Sequence, residues 1–168
     1  TCALPIFMRA ANKLQQKYPS LVVYIPSCRD AFDEIFKKAF RKYQVKGHVI
    51  SQKDSAKLKP YIYSLTKIAL CKSGTVNMEL ALYGIPQIVG YRVSRITAFI
   101  AKKILNFKVR FISPVNLLVN KLIIPEFVQK EFDEKNILYK SCRILEGKSE
   151  KIKIKKGYAF LKKELGGN

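Results

Sequence analysis

The stretch Cys71-Lys72-Ser73-Gly74-Thr75-Val76-Asn77-Met78-Glu79-Leu80 decides how this chain is read, because a strand runs into a small-residue turn that opens straight into a helix. Thr66 to Leu70 (TKIAL) is a short apolar run rich in strand formers, and Val76 to Tyr83 suits a helix packed by Val76, Leu80 and Tyr83. Ser73 and Gly74 then stand where free backbone N–H groups meet the positive end of the helix dipole, which is a phosphate-binding geometry. Glu79, just over one turn further on, is within reach of the sugar of a nucleotide whose diphosphate rests on the turn. A plainer reading fits the same residues: Ser73 caps the helix and Glu79 is solvated. Short glycine motifs do not separate the two.

Working outward, Tyr83-Gly84-Ile85-Pro86 reads as a helix stop, with Gly84 at the left-handed C′ position and Pro86 unable to continue the helix. Gln87 to Tyr91 then suits a buried strand of a parallel sheet, and Arg92 follows it. The whole segment SGTVNMELALYGIPQIVGYR, residues 73–92, resembles the nucleotide-binding half of lipid-A-disaccharide synthase, an inverting glycosyltransferase of the two-domain GT-B fold. Phe111-Ile112-Ser113-Pro114-Val115-Asn116-Leu117-Leu118 resembles that family's Ser-x-Pro-Asn-Leu loop, and Ile124-Pro125-Glu126-Phe127-Val128-Gln129 resembles its Val-Pro-Glu-Leu-x-Gln helix. The likeness runs in order from about Leu4 to Ile144.

The coarse element order agrees with an α/β, Rossmann-like domain. Helices are expected over Leu4–Tyr18, Asp30–Tyr43 (with Phe32, Ile35, Phe36 and Phe40 on one side), Lys57–Leu65 and Arg95–Asn106, with a further helix from Pro125 and a closing pair at Glu134–Leu145 and Lys151–Leu165. Strands are expected over Leu21–Ile25, Gly47–Ile50, Thr66–Leu70 and Gln87–Tyr91 and near Val109–Ile112. Alternating strands and helices imply a parallel sheet with right-handed crossovers, whose ligands bind beyond the carboxyl ends of the strands. Residues 1–147 are read as the UDP-sugar-binding domain and 148–168 as a basic helical tail.

A chain of 168 residues suffices for one core, whereas a GT-B enzyme has two domains of about this size. The resemblance places a strand and a Gly-Ser-Arg turn just upstream of Thr1. The chain is therefore expected to be the C-terminal half of such an enzyme, without the acceptor domain and the first strand of the donor domain.

Lys and Arg outnumber Asp and Glu by 32 to 12, a net charge of +20. Nucleic acid is the usual partner of such a charge, but the lysines are spread over every helix and the aromatics stand at core spacings. An anionic membrane surface fits better. Arg95 to Lys108 places Ile96, Phe99, Ile100, Ile104 and Phe107 near one face with basic flanks, the pattern of an interfacial helix and equally of a helix packed on a sheet. Lysine-rich genome composition explains the charge without any partner. No stretch is long and apolar enough to span a bilayer, and no secretory signal is visible.

Cys2, Cys28, Cys71 and Cys142 lack ligand-like or disulfide-like spacing, and His48 stands alone, so neither a metal site nor a Cys–His dyad is implied. Cys71 reads as a small buried hydrophobe.

The resemblance implies further roles. The full enzyme would transfer 2,3-diacylglucosamine from its UDP donor to 2,3-diacylglucosamine 1-phosphate and release UDP, with no cofactor, as a peripheral protein on the inner face of a membrane and as a homodimer. Ser73, Gly74 and Thr75 match the diphosphate turn and Glu79 the ribose contact; Arg92, Asn116 and Gln129 are candidates for donor contacts. Asn116 fits an Asx turn equally well, and Arg92 a solvated strand end. Val115 stands where the family has Pro, and Lys72 where a small residue is common. No residue here is placed to deprotonate the acceptor, so the general base is expected in the missing domain. Two other readings remain: a related UDP-sugar GT-B transferase, such as the peptidoglycan undecaprenyl-pyrophosphoryl N-acetylglucosamine transferase, or a basic nucleotide-binding module without catalysis.

Overall fold

The computed structural model describes residues 3–92 and 110–166, and the chain divides into two compact units, residues 4–66 and the part from Lys67 onward. The helix expected over Arg95–Asn106, and with it the candidate interfacial face, lies outside the described residues.

In the first unit α1 (Leu4–Lys17), β1 (Val23–Pro26), α2 (Asp33–Tyr43), β2 (Gly47–Ile50) and α3 (Gln52–Leu65) follow one another, and β1 pairs in parallel with β2 from Val23↔Gly47 to Pro26↔Ile50. The core here joins Met8 and Ala11 of α1 to Ala39 and Phe40 of α2 and to Val45, with Leu4, Val23, Ile25, Tyr43 and Val49 against it. A side chain on Gly47 would run into the Val23 carbonyl and the Phe40 ring, so glycine sets how closely the strands and α2 approach.

The α2 stripe is narrower than the sequence suggests. Phe40 is buried, but Phe32 and Ile35 are 38% and 52% exposed, because the helix turns its Ala39–Phe40–Tyr43 side to the core. A 3-10 turn, Asp30–Phe32, precedes α2. Helix α3 starts five residues earlier than its expected Lys57 start. Ser51 is the reason: its hydroxyl accepts the Asp54 N–H at 3.2 Å and donates to the Asp54 carboxylate at 2.8 Å, so that Pro60 sits inside the helix.

The second unit holds a three-stranded parallel sheet, β3 (Ala69–Cys71), β4 (Gln87–Tyr91) and β5 (Glu126–Val128), in the order β3-β4-β5. Central β4 is buried from Gln87 to Gly90, as a parallel strand covered on both faces must be. Helix α4 (Val76–Leu82) connects β3 to β4 and stops as expected: Gly84 takes φ +72°, donates to Ala81, and Ile85 donates back to Leu80. Its packing face differs from the expected one. Val76 and Tyr83 are 38% and 55% exposed, and Asn77, Leu80 and Ala81 are the buried residues.

Two further elements differ. The segment from Pro125 is not a helix but strand β5, paired from Val89↔Glu126 to Tyr91↔Val128, and the helix stands earlier as α5 (Pro114–Val119). Ser113 explains the shift, accepting the Asn116 N–H at 3.2 Å with Pro114 in the first turn, which makes an N-terminus where a loop was expected. Residues 110–112, the described part of the strand expected near Val109–Ile112, form no strand; the Ile112 N–H goes to Glu126 instead.

The closing pair is α6 (Glu134–Glu146), capped by Asp133, and α7 (Lys148–Gly166). Ile154, Tyr158 and Leu161 of α7 are buried, and Lys140 pairs with Glu150 at 3.0 Å across the two helices. The lysine-rich segment is thus an amphipathic helix of the second unit.

Candidate functional site

At the carboxyl end of β3 the chain leaves the sheet through Lys72, Ser73, Gly74 and Thr75 before α4 begins. Three anchors hold this turn. The Ser73 hydroxyl donates to the Ile112 carbonyl. The Gly74 N–H donates to the Asn77 side chain at 2.8 Å, so this amide is spent inside the protein and is not one of the free donors the sequence suggests. The two hydrogens of the Asn77 amide nitrogen are shared among the Lys72 carbonyl, the Cys71 sulfur and Gln87 Oε1, at 3.2, 3.1 and 3.0 Å.

The network continues inward. Gln87 Nε2 donates to the Asn77 carbonyl at 2.9 Å and to the Tyr158 hydroxyl at 3.0 Å, and Tyr158 donates to the Ile85 carbonyl at 2.9 Å. Burial holds the Tyr158 phenol far above its ordinary range, against the weaker opposing effect of its bond to Gln87. A fully satisfied buried network of this kind rigidifies what it touches, and what it touches is the turn.

The open side of the turn faces the other way. A methyl group built on Gly74 meets nothing within 4 Å. Thr75 and Val76 are exposed, and among the described residues their N–H groups have no acceptor. Glu79 lies half-buried one turn into α4, its N–H 3.4 Å from the Thr75 carbonyl. Ser73, Gly74, Thr75 and Glu79 are therefore neighbours around one turn, where the N–H groups of Thr75 and Val76 are the ones left open among the described residues.

Arg92 and Gln129 are also brought together, but by each other. The Arg92 guanidinium donates twice to the Gln129 carbonyl, at 3.2 and 3.0 Å, and once to the Phe132 carbonyl at 2.7 Å, and it lies over the Phe132 ring. Gln129 takes φ +54° and donates its N–H to the Tyr91 carbonyl. Arg92 thus closes the turn after β5 through its Nε and Nη2.

Asn116 is fully buried and spent. Its oxygen accepts the Ile123 and Ile124 N–H groups at 2.8 and 3.0 Å, and its nitrogen donates to the Ile124 carbonyl at 2.8 Å and to Glu126 at 2.7 Å. Two donated and two accepted bonds are all that an amide has. The geometry gives Asn116 the loop-holding role that an Asx-turn reading allows, and no atom is left for a donor contact.

Four residues that the sequence reading left aside build this region: Asn77, Gln87, Glu126 and Tyr158. Gln87 was a weak signal in plain view, a polar residue in an otherwise apolar strand that has to find buried partners. Among the described residues, no group of three or more His, Cys, Asp or Glu side chains could hold a metal ion.

Burial pushes the Cys71 thiol up to about 12, with the Asn77 hydrogen bond acting weakly in the opposite sense. At pH 8 roughly one such thiol in ten thousand is ionised, and the thiolate is the reactive form. Cys28 is exposed. Iodoacetamide at pH 8 is expected to modify Cys28 and spare Cys71 in the native protein, as read by peptide mass mapping. Equal labelling of the two would show that Cys71 is not enclosed as described.

The family model described as lipid-A-disaccharide synthetase matches residues 1–166. The chain is 41% identical over 163 residues to the lipid-A-disaccharide synthase of Prochlorococcus marinus, a match covering 97% of the chain and 42% of that protein. Over the same length it is 33% identical to the lipid-A-disaccharide synthase of Gloeothece citriformis and 29% identical to that of a Synechocystis species, covering 41% and 40% of those proteins. The chain spans about two fifths of the length of these curated relatives.

Proposed function

The chain belongs to the lipid-A-disaccharide synthase family, and from that premise we propose that it forms the UDP-sugar-binding part of an inverting glycosyltransferase. The reaction is transfer of 2,3-diacylglucosamine from UDP-2,3-diacylglucosamine to 2,3-diacylglucosamine 1-phosphate, giving a β-1,6-linked disaccharide and UDP. The observation that carries this reading is the open turn at Ser73–Thr75, anchored by Asn77, with Thr75 and Val76 exposed and their N–H groups without an acceptor among the described residues. A diphosphate on those donors gains fixed dipoles that favour the charge developing on the UDP leaving group. Glu79 takes the ribose hydroxyls through charge-assisted hydrogen bonds. The base that deprotonates the acceptor hydroxyl belongs to another part of the enzyme.

The substrates are acylated sugars, and the +20 net charge suits the anionic inner face of a membrane. Among the described residues no helix is long and apolar enough to cross a membrane, which leaves peripheral contact as the mode we propose. A homodimer of the whole enzyme belongs to the same reading.

Replacing Glu79 by alanine is expected to weaken UDP binding about tenfold or more, since hydrogen bonds to a charged group contribute about 1.5 to 3 kcal/mol. Calorimetric titration with UDP reads the change. An unaltered affinity would remove Glu79 from the site.

A further inference from the structure

Glu126, the first residue of β5, holds three donors on one carboxylate. Its Oε2 accepts the Ile112 N–H at 2.7 Å, and its Oε1 accepts the Ser113 N–H at 2.9 Å and the Asn116 side chain at 2.7 Å. The Ser113 N–H and the Ile112 carbonyl belong to one peptide group, and in a trans peptide they point to opposite edges. One edge is held by Glu126 and the other receives the Ser73 hydroxyl. A single peptide plane is therefore threaded between a carboxylate on β5 and the turn after β3. Each bond polarises the next, so the ionised carboxylate strengthens the hold of Ile112 on Ser73.

We propose that Glu126 is a positioning residue for the Ser73–Thr75 turn, setting its geometry through the Ile112–Ser113 peptide without touching the ligand. In the nucleotide-binding role this rests on the function proposed above. Two consequences follow from the geometry. The Ser73 hydroxyl has its proton directed to Ile112, so it offers a phosphate no donor, and recognition falls to the backbone amides of the turn. Loss of the Glu126 charge leaves the peptide free to rotate, and Ser73 then loses its acceptor.

The test uses the full chain and three variants: Glu126→Gln, Ser73→Ala and the double substitution. Amide hydrogen exchange without ligand reads the turn directly. Exchange of the Gly74 N–H, the amide of the turn held by Asn77, is expected to rise about tenfold in each single variant, the loss of roughly one hydrogen bond, with residues 4–66 unchanged. Because both substitutions break the same thread, the double variant is expected to match the larger single effect. Additive effects, or an unperturbed turn in Glu126→Gln, would overturn the proposal. Ser73→Ala leaves all three Glu126 bonds intact, so if Glu126→Gln does not fold, an unloosened turn in Ser73→Ala still overturns it. Titration with UDP is the second readout, and the affinity losses of the two single variants are expected not to multiply. Should the unaltered chain bind no UDP at millimolar concentration, the nucleotide reading falls, while the exchange result still decides whether Glu126 positions the turn.

Discussion

Asn116→Asp is expected to cost about 4 kcal/mol or more of folding stability at pH 7, although it exchanges a single NH2 group for an oxygen. The Asn116 nitrogen donates to the Ile124 carbonyl and to Glu126, at 2.8 and 2.7 Å, in a fully buried site. An aspartate oxygen there faces two acceptors, one of them a carboxylate. Each buried polar group left unpaired costs about 1 to 3 kcal/mol, and two carboxylates at contact distance repel. A domain of this kind has about 5 to 15 kcal/mol in all. The sign with pH follows from the same contact. Repulsion and burial raise the folded-state pKa of the introduced acid above its unfolded value of about 3.9. The penalty is then smallest below that value and grows as pH rises through the raised one. Urea denaturation of both proteins between pH 4 and pH 8 measures it. A deficit under about 1 kcal/mol at pH 7, or one independent of pH, would show that the Asn116–Glu126 contact does not hold the loop.

The legible parts of this fold were those written in local chemistry. Gly84 and Pro86 mark the end of α4, and the structure closes that helix with the double hydrogen bond that a left-handed glycine permits. The strand Gln87–Tyr91 was readable from the apolar run that follows Gln87. Pro125-Glu126-Phe127-Val128 was misread as a helix because its strand identity comes from pairing with β4, a contact that no local pattern records. The early start of α3 and the presence of α5 were both signalled, by Ser51-x-x-Asp54 and Ser113-Pro114, and a capping serine outweighed the apolar periodicity in each case.

The candidate site was legible as a place and less so as an arrangement. Ser73, Gly74, Thr75 and Glu79 are neighbours in sequence, so a strand–turn–helix pattern is enough to gather them. Which donors remain open was not legible, because Asn77 takes the Gly74 N–H and Ile112 takes the Ser73 hydroxyl. Arg92, Asn116 and Gln129 came from matched motifs, and a motif does not say whether a polar side chain is aimed at a ligand or at the neighbouring backbone. Here the partners of Arg92 and Asn116 are backbone carbonyls and amides and, for Asn116, the Glu126 carboxylate.

Gly74→Ala is expected to separate binding from folding. Its φ lies outside the left-handed region and the added methyl meets no atom within 4 Å, so the substitution is unstrained. Lower entropy of the unfolded chain then makes the variant as stable as the parent or more stable by about 0.4 to 1 kcal/mol. The same methyl projects into the empty space beside the turn, which a diphosphate bound there as proposed would enter. A diphosphate seated there is pushed away from donors that act only at about 3 Å, and affinity is expected to fall by about tenfold or more. The decisive measurement is a titration of the isotope-labelled chain with UDP, followed through its backbone amide resonances, for the parent and for Gly74→Ala. Saturable shifts centred on Ser73, Thr75 and Val76 are expected in the parent, and their loss in a variant that melts no lower. Saturable shifts that centre elsewhere, or that survive unchanged in Gly74→Ala, would contradict a nucleotide site at this turn.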